Sequence, residues 1–348
     1  MKWSENEYLI AFNMINGIGG RRLENLLAAF KTLEQAWQSS YQDLLQVSGF
    51  GPRLAESFIS QRRSVDPKKE IKWAKKYNAS ILTKSDIEYP EFLRQIPGSP
   101  PVIYYSGKLP KDLGVAIVGS RRATYSGKQQ AYEFARSIAS CGIPIISGLA
   151  RGIDTQAHLG AVSVKSGVTV AVLATPIDIV YPPENHSLAD KIKTSGCLIT
   201  EFSSRAVVKP GNFPRRNRLI AAFAKGVLVV EAGMKSGTLS TVDWALEQGK
   251  DVWAVPGEIS QPLRKGTNNL IKQGAGLVDC AEDILQEFHH ISSAKSEHKL
   301  DSTSALILSY YKKGLSSQEI VELTRLSIQE VQNCLTFLEL EGLMNYVG

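Results

Sequence analysis

From Leu113 onward, short apolar runs alternate with segments of helical spacing, and each run is four to six residues long. Continuous runs of this length, separated by amphipathic helices, are the pattern of strands buried on both faces in a parallel sheet. The pattern predicts strands at Val115–Val118, Ile143–Ile146, Val168–Leu173, Cys197–Thr200, Val227–Val230 and Val252–Val255, with helices between them. The expected fold class is therefore α/β, with a doubly wound, mostly parallel sheet. Upstream, residues 1–65 read as a small helical domain, in which Leu23, Leu26, Leu27 and Phe30 recur at helical spacing. Residues 66–111 read as an adapter with strands at Ser80–Leu82 and Val102–Tyr105, and 112–289 as the main domain. Near its end, Thr267 or Asn268 can cap a helix that starts at Gly266. A polar linker is expected at 290–303. Residues 304–348 then carry three amphipathic segments, Ala305–Tyr311, Ser317–Thr324 and Ser327–Leu340, and a short strand at Leu343–Val347, which together resemble a winged helix.

Composition narrows the class. The chain of 348 residues is 43% hydrophobic and 21% charged, enough apolar content for a large core in two or three domains. Cys141, Cys197, Cys280 and Cys334 are scattered without a CxxC pair, so neither a zinc site nor a disulfide framework is expected, and the thiols read as reduced core groups. No run of 18 apolar residues occurs and no basic-then-apolar leader opens the chain, so a cytoplasmic protein is expected. The formal charge of +6 is a mild bias toward anionic partners, and its distribution says more than its size.

The cations concentrate where strands end. Strand one runs into Gly119-Ser120-Arg121-Arg122, strand two into Ser147-Gly148 and on to Arg151-Gly152, and strand five into Lys235-Ser236-Gly237-Thr238. Ahead of strand five stands Phe213-Pro214-Arg215-Arg216-Asn217-Arg218, in a stretch from Arg205 to Arg218 that holds no Asp or Glu. Glycine permits close approach, hydroxyls donate to phosphate oxygens, and a proline at a helix start leaves amides pointing outward. Doubly wound sheets bind ligands outside the carboxyl ends of their strands, so these turns are candidate walls of one anion site. One nucleotide needs one such turn, whereas several turns with repeated arginines suit a row of phosphates, with Phe213 beside an unstacked base. Neither GxGxxG nor GxxxxGK[ST] is present, which weakens dinucleotide and P-loop readings.

Two further features stay open on sequence. Asp154 and His158 stand four apart on one helix face, either as an acid/base pair or as a helix-start carboxylate and an internally bonded imidazole. Ile15-Asn16-Gly17-Ile18-Gly19 and Val47-Ser48-Gly49-Phe50-Gly51 resemble the hairpins of helix-hairpin-helix modules, and are equally ordinary glycine turns between helices. In the C-terminal unit, the helix in the recognition position, Ser327–Glu339, contains Glu330 and Glu339 and no Lys or Arg, which favours a protein-contact or regulatory role over groove binding.

Taken in order, VGSR at Val118–Arg121, SGLARGID at Ser147–Asp154, YPPEN at Tyr181–Asn185 and FPRRNRLIA at Phe213–Ala221 resemble the bacterial DNA-processing protein A family (DprA, also called Smf). Glu231–Thr238, AVPG at Ala254–Gly257 and GTNNLI at Gly266–Ile271 extend the resemblance across roughly residues 80 to 290. Pro183 and Glu184 make the YPPEN turn less basic than its neighbours. The resemblance implies a Rossmann-like domain that binds single-stranded DNA, forms a homodimer, and loads RecA recombinase onto incoming strands during natural transformation. It implies no catalytic residue, metal or cofactor. The implied phosphate contacts are Gly119 to Arg122, the Ser147–Gly148 turn with Gly152, Arg215 to Arg218, and Lys235 to Thr238. Phe213 would lie near a base. The alternative class is a nucleotide-processing, phosphoribohydrolase-like enzyme, with Glu231 or Asp154 acting on a sugar or phosphate.

Overall fold

The computed structural model describes residues 3–295, 302–311, 315–324 and 326–340. Two compact units divide the chain, Met1–Asp283 and Ile284–Gly348. The first is built on one nine-stranded sheet. Its strands are β1 (Ser80–Thr83), β2 (Val102–Gly107), β3 (Gly114–Val118), β4 (Ile145–Ser147), β5 (Thr169–Val172), β6 (Cys197–Thr200), β7 (Ala224–Val229), β8 (Asp251–Ala254) and β9 (Gly276–Leu277). Their spatial order is β1-β2-β6-β5-β4-β3-β7-β8-β9.

All pairings from β6 across to β9 are parallel, in registers such as Val115 opposite Ile145 and Ala116 opposite Val227. The chain leaves β3 toward β4, β5 and β6, then returns to lay β7 on the other side of β3. The β3/β7 seam is thus the point where strand order reverses, and ligands of doubly wound sheets bind there. Residues expected as an adapter do more than connect. β1 and β2 pair antiparallel with each other and β2 with β6, so this segment extends the sheet.

Strand periodicity sorts the core into two layers. Side chains of a strand alternate between faces, and on β2 Val102 and Tyr104 enter one cluster while Ile103 enters the other. The same alternation sends Leu198 one way and Cys197 and Ile199 the other. The first layer is shared with the N-terminal helices. Phe12, Phe58, Leu26 and Leu44 are fully buried in it, and Tyr104 meets Trp73 edge-on at 5.8 Å. Leu27, expected on the buried stripe, is instead exposed. The second layer packs the helix Asn212–Ala222 through Leu219 and Ile220 against Val227, Val229 and Val118.

The C-terminal unit contributes helices Ser302–Tyr311, Ser317–Thr324 and Ile328–Leu340 around Ile307, Ile320, Val331 and Leu338. The strand expected at Leu343–Val347 lies outside the described residues. The segment expected as a polar linker is helical as far as Lys295, within Glu282–Lys295. Of the thiols expected in cores, Cys197 is buried, Cys280 and Cys334 are half-buried, and Cys141 is exposed. No helix among the described residues is long and apolar enough to cross a membrane.

His158 shows how the sheet constrains its helices. It is fully buried, its Nδ1 lies 2.7 Å from Thr169 Oγ1, and that hydroxyl donates to Ile145 O at 2.7 Å, joining a crossover helix to β4 and β5. This is the internal, structural alternative for His158. Burial, reinforced by the nearby Arg216 guanidinium, pulls its pKa from 6.5 down to about 3. Below about pH 6.5 the unfolded chain therefore binds a proton that the folded chain refuses, and stability falls as pH drops toward 3. The contribution is on the order of 1 kcal/mol by about pH 5.5. Urea midpoints at about pH 7.5 and 5.5 should show wild type losing more stability than His158→Gln over that interval; an unchanged gap would contradict a buried neutral imidazole.

Candidate nucleic-acid interface

Outside the carboxyl ends of β3, β4, β5 and β7 lies a groove of about 730 Å³. The turn after β3 supplies Gly119, Ser120, Arg121 and Arg122, the turn after β4 supplies Ala150, and the helix Ile153–Val162 that follows supplies Asp154. The helix Asn212–Ala222 adds Phe213, Arg216 and Asn217, and the turn after β7 adds Ser236, Gly237 and Thr238. Segments from Val118 to Leu263 thus share one cavity.

The residues at its mouth differ from those that build it. Arg121 and Arg122 are exposed. The Arg121 guanidinium lies over the Phe213 ring, 4.8 Å from its centroid, and Tyr181 meets the same ring edge-on at 5.7 Å. Ser236 and Thr238 bond to each other, Oγ to Oγ1 at 3.0 Å, and Thr238 N donates to Ser236 Oγ at 3.2 Å, a compact hydroxyl-bearing turn. Asn217 donates to Ser240 Oγ at 2.8 Å, tying the arginine-rich helix to the helix that follows this turn.

Beneath them sits Arg216, only 4% exposed. Its Nη1 donates to Gly148 O at 2.7 Å and also to Val172 O, clamping the ends of β4 and β5 together. Gly148 is required here by space, because a Cβ on it would come within 2.5 Å of Arg216 Nη2. Asp154 accepts from Gly148 N at 3.1 Å and Ala150 N at 3.4 Å, so its carboxylate organises the same turn from the other side. Burial pulls Arg216 down to about 10, opposed by Asp154, and it remains cationic at neutral pH. Burial also raises Asp154, with Arg216 and the two amides opposing. Glu231 plays the matching part under the first turn, accepting from Thr124 N at 2.9 Å and Thr124 Oγ1 at 2.6 Å, with Arg264 at 3.4 Å. Both carboxylates of the enzyme reading thus have structural partners.

Several expected contacts are corrected. Arg218 does not line the groove; it is buried and donates to Glu201 Oε2 at 2.6 Å. Arg215, three residues earlier and so on the same helix face, reaches the same oxygen at 2.6 Å while staying partly exposed. Burial opposes ionisation of Glu201, but these two guanidiniums hold its pKa below the usual range. Ser147 is fully buried and donates to Ile117 O at 2.7 Å, a tie between β3 and β4. Gly152, at φ +79°, shapes the turn, since a Cβ there would meet Ser120 O at 2.2 Å. Lys235 is exposed beside the groove without lining it. The helix start is not the expected donor: Asn212 N and Phe213 N donate to Lys209 O and Pro210 O at 2.9 and 3.2 Å. Thr267 and Asn268, expected as caps, bond instead to Arg264 O and to Gly257.

Two features escaped sequence reasoning. Tyr181 lines the groove from the segment after β5, whose Pro183 and Glu184 make it look too acidic to be a wall. Glu184 in fact pairs with Arg151. The other is Glu201, which follows β6 and pairs with two of the three FPRRNR arginines. An acid closing a buried strand just ahead of an acid-free basic stretch is the signal that could have found it.

Residues 80–289 match the family described as DNA recombination-mediator protein A. The chain belongs to this family. It is 37% identical over 288 residues to protein Smf of Synechocystis, covering 81% of this chain and 72% of that protein. It is 39% identical over 205 residues to DNA processing protein DprA of Streptococcus pneumoniae, 58% of this chain and 71% of that one. The X-ray structure of that pneumococcal DprA superposes with a TM-score of 0.69 at 32% identity, covering 82% of this chain and 99% of the other. DprA from Helicobacter pylori, studied for its single-stranded DNA binding mode, superposes with a TM-score of 0.54 at 28% identity, over 61% of this chain and 96% of that one. The mostly parallel α/β sheet of this chain agrees with the fold of the pneumococcal protein.

Arg216 makes the sharpest prediction for the groove's construction. Arg216→Met keeps the volume but leaves two buried carbonyls without a donor and Asp154 without its facing cation, and should cost about 3–5 kcal/mol. Denaturant unfolding checks it; a loss under about 1 kcal/mol would mean that the clamp is dispensable.

Proposed function

We propose that this chain binds single-stranded DNA in the groove at the β3/β7 switch point and delivers it to RecA recombinase. The observation that carries the reading is the convergence of Arg121 and Arg122, the Ser236–Thr238 turn and Phe213 on one cavity. Phosphates pair with the two exposed guanidiniums, and the serine and threonine hydroxyls donate to phosphate oxygens. One base stacks on Phe213, with Arg121 withdrawing from the ring it covers in the free protein. A double helix holds its bases stacked inside, out of reach of such a ring, so single strands are preferred. Gly119, Gly148 and Gly152 act by shaping the turns, and Arg216 by its buried charge and its clamp.

Membership of a recombination-mediator family supports RecA as the recipient of the strand, and the family resemblance supports a homodimer. The reading involves no turnover: the one carboxylate among the groove's lining residues, Asp154, holds two backbone amides. The protein is a binder and carrier of the strand rather than an enzyme acting on it.

Fluorescence anisotropy with a labelled oligonucleotide over a salt series tests the groove. Arg121→Ala should weaken binding and make the log–log salt slope shallower by about 0.7, the value for one phosphate contact on a single strand. Phe213→Ala should cost about 1–3 kcal/mol on a normal strand and little on an abasic one. Full affinity in both variants would refute the site. Acceleration of RecA filament growth on the same oligonucleotide tests delivery separately.

A further inference from the structure

The helix start Asn212–Arg216 is a partition with a different cavity on each side. Phe213, Pro214 and Arg216 face the main groove, whereas Asn212 and Arg215 line a second cleft of about 120 Å³. The far wall of this cleft is the first N-terminal glycine hairpin, through Asn16, Gly17 and Ile18. Its near wall includes Lys209, next in sequence to Pro210, which lines the main groove. The two cavities therefore adjoin along the segment from Lys209 to Arg216.

The chemistry of the cleft is one-sided. No Asp or Glu occurs from Tyr8 to Leu23 on one wall, or from Phe202 to Val230 on the other. The single acid that lines it, Glu201, is buried and already faces two guanidiniums at 2.6 Å, so the local balance is positive before Lys209 is added. The hairpin is tied to its neighbours by hydrogen bonds. Gly17 sits at φ +94°, Arg22 Nη1 donates to Gly17 O at 2.6 Å, and Asn16 N donates to Gln61 Oε1 at 3.0 Å. At Gly19 this hairpin lies beside Arg215, whose Nη2 would be in ordinary contact, 3.5 Å, with a Cβ there. The second hairpin, around Gly49, does not reach this cleft; its Ser48 O accepts from Asn25 Nδ2 at 2.9 Å, which ties it to the helix after the first hairpin.

We infer that this cleft is a second nucleic-acid subsite, in which a single strand leaving the main groove over Phe213 and Pro210 sets its next phosphates between Lys209, Arg215 and the Asn16–Gly19 hairpin. The inference rests on the main groove binding the strand. It gives the N-terminal helical segment a direct part in binding and lengthens the occupied stretch of strand beyond what the sheet's turns alone hold. Its contacts are to phosphate and free of sequence preference, because the one ring among its lining residues, Phe202, is buried and covered by the Arg215 guanidinium at 5.1 Å.

The test compares a short oligothymidylate of about 6 nucleotides with a long one of about 20, a range spanning typical single-strand site sizes. The full-length chain and its Asn16→Glu/Lys209→Glu double variant are titrated by anisotropy. Asn16 and Lys209 are exposed and outside the main groove, so folding is preserved. The expected result is unchanged affinity for the short strand, a loss of about tenfold for the long one, and a salt slope on the long strand shallower by about 0.7. An identical gain from short to long strand in both proteins would overturn the inference, as would an equal loss on both lengths. Arg121→Ala is the separate control: if it binds both lengths as wild type does, the main-groove reading has failed, and that result is distinguishable from failure of the cleft.

Discussion

One buried guanidinium sets the geometry of everything at the sheet's carboxyl edge. Arg216 joins the carbonyls of Gly148 and Val172, at the ends of neighbouring strands, while Asp154 holds the amides of Gly148 and Ala150. A charge placed at 4% exposure survives only if its donors are used and an opposite charge is near, and both conditions are met. Once it is in place, the turns after β4 and β5 cannot move independently. Phe213 stands three residues before Arg216 on the same helix, so the clamp carries it too and holds its ring beside Arg121.

The division that results is between cations that build the edge and cations left exposed at its surface. Arg216 and Arg218 lie inside, one on backbone carbonyls and one on Glu201, and their cost of burial is offset by partners already in the protein. Arg121 and Arg122 stand at the surface, where a guanidinium loses little on exchanging water for phosphate. The contact between Arg121 and Phe213 keeps a ring and a cation together, the two groups that a base and its phosphate would need.

Much of this was legible in the chain. Unbroken apolar runs marked six of the seven parallel strands, and Cys197–Thr200 coincides with β6 residue for residue, because Gly196 and Glu201 bound the run on either side. β9 was not legible, since two residues carry no periodicity. Turns that carry glycine and arginine at strand ends line one cavity. The fate of each arginine did not follow from clustering, because it depends on which face of the helix a residue takes: Arg215 and Arg218 are three apart and turn to Glu201, while Arg216 turns to the strands. Tyr181 is not legible in the chain, because the charge of its segment says nothing of a ring that acts by packing on Phe213.

Hydrogen–deuterium exchange of the full chain, with and without a single-stranded oligonucleotide, tests most directly whether these distant turns act as one site. Amide protection should rise together, at the same strand concentration, in the turns at 119–122, 148–152 and 236–238. Protection confined to one turn, or found only away from this edge of the sheet, would contradict the account.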